Sequence, residues 1–438
     1  MASLNPTNDV AIKIKTMLEE AKPRFTDECC IYRVFREIRK SNEGAYTPNV
    51  VSIGPFHHGD QYLLKMEDQK RIYCREFIES SETKSLESFV SCVQELEPKI
   101  RGCYSEDIKL SKEELVMVIL VDSCFLLQFS LKSWIGWTPS DDILLPQNLR
   151  EPIHYDLLLI ENQVPFFVLD KLYNLAFHST LYSGNHRHPP LLGLTLLIVS
   201  YSIIVPDIII TNDMLSPFLH NVGRIAHFTD LSRKFLLTLS RLLQPSSSGR
   251  LREKEFPRIY SATRLNEGGV KFEVNKNSQC ILDLELSCHT FSVPAIRVTA
   301  YTEAVLRNLL FFEQCHCMNE SYLADYIVAL DFLIDTDKDV DLLIKRGIIE
   351  NWLGDSSEVA KMFNGIGVQV LNPDFNMQYI RIFKELNAFC MHPCNKKVAT
   401  LRRDYCNTPW KTVASIAGTF LLVLTVIQTV FSILQVVH

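Results

Sequence analysis

The longest uncharged apolar stretch of the chain lies at its carboxyl end. From Val413 to Val437 there are 25 residues without a Lys, Arg, Asp or Glu. At ~1.5 Å per residue, a helix of this length reaches roughly 37 Å, enough to cross a hydrocarbon layer of ~30 Å with some tilt. The pattern predicts one transmembrane helix over residues 412–438, a tail anchor that would be inserted after translation ends.

Seven positions in this predicted span follow a 4-3-4-3-4-3 spacing and therefore lie on one seam of the helix. They are Ala414, Gly418, Leu421, Thr425, Gln428, Ser432 and Gln435. All but the leucine are small or polar, in a span otherwise rich in Val, Leu, Ile and Phe. Small residues let helices approach closely, and polar ones bond across helices at about 0.6–2 kcal/mol each. We expect this seam to contact a second copy or the span of a partner.

The first half of the body shows patterns typical of helices. Residues Glu113–Phe129 are apolar on all sides, with Ser111 as a predicted N-cap, and should form a buried central helix. The segment Asp156–Phe177 has two apolar runs separated by polar residues, which predicts a helix, a break and a second helix. Leu191–Val205 is short for a membrane span and contains polar residues, so a buried helix is favoured.

The second half begins with a different pattern. Gly268 and Gly269 precede three short alternating runs rich in β-branched residues, VKFEV, ILDLEL and TFSVP, which predict a small antiparallel sheet. Helices resume at about Ala300. The expected fold is mainly α, with a large helical body, this minor β element and the single C-terminal transmembrane helix.

Residues Asp337–Arg346 carry the start and stop signals of a helix. Thr336 and Asp339 predict a capping box, and Gly347 is placed for the C-terminal cap. The acidic run Asp335–Asp341, which overlaps the start of this helix, resembles the start of a calcium loop. However, the sixth position is Val340 rather than Gly and the twelfth is Arg346 rather than Glu, so the acids are better explained by the helix N-terminus.

The chain has 438 residues, of which 47% are hydrophobic and 22% charged, as expected for a folded chain with ample core. Its net charge of −6 argues against general nucleic-acid binding, which needs a basic face. The predicted segments are an N-terminal extension (1–29), a helical first half (30–244), a linker (245–255), a second half with the sheet (256–395), a basic juxtamembrane segment (396–411) and the anchor (412–438).

The flanks of the predicted anchor indicate its orientation. Five basic residues and one acid lie within about 20 residues before it, and an excess of Lys and Arg marks the cytoplasmic side. The N-terminus lacks the uninterrupted apolar run of a secretory signal and predicts a short amphipathic helix through Ile12, Ile14, Met17 and Leu18. We therefore expect a single-pass protein with a cytosolic body and reduced thiols at its 13 cysteines, in the plasma membrane rather than the endoplasmic reticulum.

Several motifs resemble those of one plant family. They are IYRVFREIRKSNEGAYTPNVVSIGPFHHGDQYLLKMEDQK from Ile31, DSCFLLQF from Asp122, DLLLIENQVPFFVLDKL from Asp156, LRNLLFFEQC from Leu306, the run Asp335–Leu353 and CNTPW before the anchor. In this order they resemble the family called domain of unknown function 247, with Phe35, Ser123 and Gln128 as departures. The resemblance implies a helical body with one C-terminal span and no known reaction. Some grass members are associated with self-incompatibility in pollen, which would favour a recognition role.

The sharpest local motif is Gly54-Pro55-Phe56-His57-His58-Gly59. The two adjacent histidines could be acid–base groups, but neighbouring side chains point apart and would poorly share a metal. The alternative is a rigid turn, with glycines at its ends and the histidines bonded to backbone carbonyls. The turn is favoured.

Two carboxylates, Asp122 and Glu161, interrupt strongly apolar runs. A buried carboxylate needs a partner or becomes protonated. They could form a pair for acid–base catalysis, or they could be bonded to a cation such as Arg33 or Arg150 and fix helix packing. The structural interpretation is favoured.

Cysteine and histidine also cluster at Cys315-His316-Cys317 and between Cys390 and Cys394, but these spacings match no strong zinc pattern. We expect no metal, no cofactor and no catalytic residue. The predicted function is a membrane-anchored interaction or recognition scaffold, with partners that are proteins. The alternative is an enzyme of unrecognised class that uses Asp122, Glu161 and one of His57 and His58.

Overall fold

The computed structural model describes residues 6–20, 27–182, 189–200, 218, 222–240, 260–276, 278, 280–317, 320–370, 376–393 and 409–437. The chain divides into two compact units. The first unit contains residues 1–202 and 222–232, and the second contains residues 203–221 and 233–438. The predicted linker at 245–255 and the basic segment up to residue 408 lie outside the described residues.

Helices dominate the described residues, so the predicted mainly α fold is confirmed. In chain order they are α1 (Pro6–Glu20), α2 (Arg36–Ser41), α3 (Glu67–Ser80), α4 (Leu86–Gly102), α5 (Lys112–Ile135), α6 (Pro139–Leu144), α7 (Gln147–Asp156), α8 (Phe166–Tyr182), α9 (Leu191–Ser200), α10 (Phe228–Thr238), α11 (Ala262–Glu267), α12 (Thr302–His316), α13 (Tyr322–Leu333), α14 (Asp337–Lys345), α15 (Ser356–Gly367), α16 (Met377–Met391) and α17 (Pro409–Val437).

Helix α5 is the centre of the first unit and packs against α3, α4, α8 and α9. Its start is fixed by the predicted cap, because the Ser111 hydroxyl accepts from the Glu114 amide while the Glu114 carboxylate accepts from the Ser111 amide. Most of its side chains are buried on every side. Helix α9 covers the first ten residues of the predicted helix Leu191–Val205, and it is buried as expected; residues 201–205 lie outside the described residues.

The segment Asp156–Phe177 differs from its prediction. Helix α7 ends at Asp156, and the apolar run Leu157–Ile160 forms turns rather than a helix. Only the second predicted helix exists, as α8, which begins at Phe166 directly after Pro165. The run is apolar because all four residues are buried, and burial gives the same pattern in a turn as in a helix.

The sheet of the second unit is mixed rather than wholly antiparallel. Strands β1 (Lys271–Val274), β2 (Glu285–Ser287) and β3 (Thr290–Val293) have the order β1-β3-β2, and β1 pairs with β3 in parallel. Only β2 and β3 are joined by a tight turn, which makes that pair antiparallel. A second sheet pairs β4 (Ile296–Val298) with β5 (Ile349–Asn351) in parallel. Alternation predicts strands but not their direction, which explains the difference.

Helix α14 confirms the predicted signals at both ends. Its capping box joins Thr336 and Asp339, and Gly347 has a φ of +74° just beyond the C-cap. The second carboxylate oxygen of Asp339 accepts from the amide of Thr263. The acidic residue of this cap is therefore used by backbone amides.

Candidate functional site

The segment 49–59, which includes the turn Gly54–Gly59, has no regular secondary structure, and buried side chains bind its backbone. Residues 49–59 form no helix or strand. At the start of the segment, the carboxylate of Asp156 accepts from the amides of Asn49, Val50 and Val51 over 2.7–3.0 Å. Burial raises the pKa of Asp156 to about 6, despite these three amides.

Two side-chain amides continue this pattern. Asn162 accepts from the Ile53 amide at 2.7 Å and donates to the Val51 carbonyl at 3.0 Å. Gln163 donates to the carbonyls of Leu157 and Leu159, so it holds the apolar turn that was predicted to be helical. Both amide side chains are buried. A segment without sheet partners thus has its backbone groups satisfied by side chains, as buried backbone requires.

An ion pair between Lys70 and Asp122 lies where this segment enters the turn. Asp122 accepts from the Gly54 amide at 2.8 Å and from the Lys70 ammonium at 2.5 Å. Lys70 also donates to the Ser52 carbonyl at 2.8 Å and pairs with Glu67 at 2.6 Å. Burial lowers the pKa of Lys70, but the charges of Asp122 and Glu67 outweigh it and raise that pKa. Lys70 and Asp122 are each about 1% exposed, so the pair is closed to solvent.

A second ionic centre surrounds Glu161, beside His57 of the turn. Its carboxylate accepts from the Val34 amide at 2.7 Å and pairs with Arg33 at 2.9 Å and Arg39 at 2.5 Å. His57 Nε2 lies 3.3 Å from the same carboxylate. Burial raises the pKa of Glu161, but His57, the two guanidinium groups and the Val34 amide prevail and hold the pKa at about 2.

The motif forms a turn with glycines at both ends, as predicted, but the role of its histidines differs. Gly54 and Gly59 have φ of +75° and +82°. Phe56 packs edge-on against Tyr104 at 5.2 Å and lies under the Arg33 guanidinium. His57 contacts a carboxylate rather than a backbone carbonyl, because the turn brings it beside Glu161. His58 is exposed.

The structure shows which cations pair with the two predicted carboxylates, Asp122 and Glu161. Arg33 binds Glu161 as expected, whereas Arg150 lies over the Trp137 ring at 3.9 Å, and the cation of Asp122 is Lys70. The sequence carried a signal for Lys70, because it precedes Tyr73, Cys74 and Phe77 on the buried face of α3. Asp122 accepts from the amide of Gly54 at the start of the turn, and Glu161 contacts His57 within it. Both carboxylates are bonded to donors, which favours positioning of the chain over acid–base chemistry.

The second unit has its own buried ion pair, which the sequence did not reveal. Glu313 accepts from Arg233 Nε at 3.0 Å and from the amides of Leu323 and Ala324 at the start of α13. Arg233 also donates to the Glu320 carbonyl at 2.6 Å. Both charged side chains are almost fully buried. The pair thereby joins α10, α12 and α13.

The predicted cysteine and histidine clusters do not form a metal centre in the part of the chain that the structure describes, where no three His, Cys, Asp or Glu side chains are grouped to hold an ion. The ring of His316 stacks on Phe312 at 5.1 Å, and Cys394 lies outside the described residues. Eleven cysteines are described as free thiols.

Helix α17 contains the predicted lateral seam. The seam positions from Ala414 to Ser432 are all exposed, and no atom lies within 4 Å of a Cβ built on Gly418. The Thr425 hydroxyl donates to the Leu421 carbonyl within the helix at 2.8 Å. The side chain of Gln435 lies outside the described residues. The seam stays a prediction.

Comparison with known proteins places most of the chain in one family. The chain is 29% identical to the UPF0481 protein At3g47200 of Arabidopsis thaliana over 93% of this chain and 87% of the relative. It is 25% identical to the putative UPF0481 protein At3g02645 of the same plant over 91% of this chain and 89% of that relative. No solved structure matches. The family model described as plant protein of unknown function, DUF247, matches residues 31–424, and the chain belongs to this family.

Proposed function

We propose that this protein is a membrane-anchored interaction scaffold, held by α17 and presenting a cytosolic body to protein partners. The observation that carries the proposal is the exposure of α17. Two helices of the described chain are long and apolar enough to cross a membrane. In Lys112–Ile135, 78% of the 18-residue apolar window is buried inside the protein. In Val413–Ser432, none of the corresponding window is buried. The apolar side chains of α5 are therefore covered by the protein itself, whereas those of α17 need an apolar environment outside the described chain, such as a bilayer.

The body is suited to a scaffold role because its conspicuous charges are used internally. Asp122 and Asp156 bind backbone amides of residues 49–59, Glu161 binds the Val34 amide, and Glu313 binds amides at the start of α13. The first unit also exposes large apolar side chains around the end of α5 and along α6: Trp134 is 52% exposed, Ile135 74% and Ile143 83%. Exposed aromatic and aliphatic side chains are typical anchors of protein interfaces.

The anchor is tested by fractionation of the full chain from plant cells. We expect it to stay with membranes after alkaline carbonate extraction and to require detergent for release. Arginines in place of Leu424 and Ile427, at the centre of the span, cost about 2.5–3.5 kcal/mol each and should release it. Val413→Arg, at the basic flank, is the matched control and should not. A chain that is soluble without detergent would overturn the anchor.

Fractionation also tests the orientation and the membrane. A tag at the N-terminus should be digested by protease added to intact microsomes, and the protein should co-fractionate with the plasma membrane rather than the endoplasmic reticulum. Protection of the tag would reverse the proposed topology.

Lateral association through the seam is tested with a reporter of transmembrane dimerisation. Gln428→Leu plus Gln435→Leu should lower the signal several-fold, since each lost interhelical bond removes about 0.6–2 kcal/mol. Thr429→Leu is the control, because Thr429 lies off the seam and its hydroxyl bonds the Thr425 carbonyl within the helix. An unchanged signal for the double variant would remove the seam from the proposal.

A further inference from the structure

Helix α1 has an apolar face that the rest of the described chain does not cover. Val10, Ile14, Met17 and Leu18 are 49–70% exposed. Their spacing is i, i+4, i+7 and i+8, which confines them to an arc of about 100° on the helix. The face runs along the helix from Val10 to Leu18 and contains no charged residue.

The charges of α1 are arranged around this face in a specific order. At about 100° per residue, Lys13 lies just beyond one border of the apolar arc and Lys15 just beyond the other. Asp9 and Glu20 follow beyond Lys13, so the helix carries three acids and two lysines, with the lysines nearest the apolar arc. Thr16 and Glu19 lie on the opposite side, together with Ile12, which is the one large apolar residue off the face. Lys15 is within 4.0 Å of Glu19, and both are largely exposed.

We propose that α1 lies flat in the interface of the bilayer, with its apolar face among the lipid chains and its two lysines at the phosphates. The two lysines are the charged residues nearest the apolar arc on its two sides, and this position suits the phosphate level of a bilayer, because their aliphatic stems cover apolar surface while the ammonium groups reach the headgroups. Glu19 on the far side then faces water, and Asp9 and Glu20 lie farther from the lipid chains than Lys13 does. The inference rests on the proposed membrane anchor, which keeps α1 near a bilayer and makes a weak surface contact effective.

The cross-linking test described below distinguishes the bilayer from two other partners for the apolar face of α1. One is a second copy of α1. The other is a groove of about 550 Å³ in the first unit, lined by Phe166, Tyr173, Leu192, Ile225 and neighbouring residues. Asp170 and Arg224 also line this groove, and one acid and one base do not complement two lysines that flank the apolar face on both sides.

Photo-cross-linking of the full chain in nanodiscs of phosphatidylcholine with a minor fraction of phosphatidylserine tests the proposal. Benzoylphenylalanine replaces Met17 on the apolar face, or Leu424 in the anchor, in separate samples. We expect lipid adducts at both positions. With the probe at 17, Ile14→Glu should reduce the lipid adduct about fivefold or more, since it places a charge on the inserted face. The matched change Ile12→Glu, on the opposite face, should leave the adduct unchanged.

The two probes separate failure of this inference from failure of the anchor. If the probe at 424 labels lipid while the probe at 17 labels the groove, a second copy or nothing, the interfacial helix is wrong and the anchor stands. If the probe at 424 labels no lipid, the anchor is overturned and this inference with it.

Discussion

Replacing Gly54 with alanine is expected to destabilise the first unit by about 3–5 kcal/mol, through left-handed backbone strain and overpacking together. Gly54 has a φ of +75°, and a Cβ at this position would lie 2.3 Å from the Gln163 carbonyl oxygen and 3.1 Å from the Tyr104 hydroxyl. The carbonyl belongs to the backbone of the turn before α8, which cannot move aside as a flexible side chain would. The substitution also displaces the amide that Asp122 binds.

Gly59 provides the matched control at the other end of the same turn. Its φ is +82°, but a Cβ there meets nothing within 4 Å, so Gly59→Ala should cost only the strain, about 1–2 kcal/mol. Alkylation of Cys124, which is fully buried on α5, reports opening of the first unit during a urea titration of the detergent-solubilised chain. Equal shifts for the two variants would mean that the close contact at Gly54 contributes nothing.

Features determined by neighbouring residues could be predicted from the sequence. The caps of α5 and α14 depend on residues three positions apart, and both agree with their predictions. The buried state of α5 follows from its apolar composition on all sides. The turn at Gly54–Gly59 also follows locally, from two glycines and a proline.

Features determined by distant partners could not be predicted. Lys70 meets Asp122 across 52 positions, and Glu161 meets the Val34 amide across 127. Composition shows that a buried carboxylate needs a donor, but not which of the 45 lysines and arginines supplies it. The same limit explains the sheet, because the parallel pairing of β1 with β3 depends on a crossover rather than on either strand.

The run Leu157–Ile160 shows a local sequence pattern that hydrogen-bond partners outside the run override. Its apolar residues resemble a helix, yet its carbonyls bind the side chain of Gln163. The sequence pattern alone indicates the polar trio Glu161-Asn162-Gln163 only as an interruption between helices. In the structure it is the reason for the irregular path, because all three side chains are buried and bound to backbone groups. A buried polar trio inside an apolar run therefore indicates a side-chain-supported loop.

Removing the ammonium of Lys70 is expected to be as damaging as the change at Gly54. Lys70→Met keeps most of the side-chain volume but leaves Asp122 as a buried carboxylate without its cation. Breaking a buried ion pair in this way costs about 3–5 kcal/mol. Of the two hydrogen-bond donors to Asp122 in the described residues, the Gly54 amide alone remains, and the Ser52 carbonyl loses the bond from Lys70. Urea titration followed by Cys124 alkylation should show the loss.

The loss should depend on pH in a defined direction. Without Lys70, burial raises the pKa of Asp122 in the folded state above its unfolded value, so the folded variant binds a proton more tightly than the unfolded chain. The variant is therefore least stable at high pH and recovers as pH falls through the folded-state pKa of Asp122. Adding Asp122→Asn removes the charge, so the double variant should recover about 2 kcal/mol near neutral pH and lose this pH dependence.

Arg71→Met is the control for the change at Lys70. Arg71 is the next residue on α3 and pairs with Asp68, but both side chains are largely exposed, at 67% and 81%. Exposed pairs contribute about 0–1 kcal/mol, so the first unit of this variant should unfold at nearly the same urea concentration as in the parent protein. If Lys70→Met were as mild as Arg71→Met, the buried pair would not determine the stability of the first unit. The turn would then have to be held by its glycines, by Glu161 and by the amides of Asn162 and Gln163.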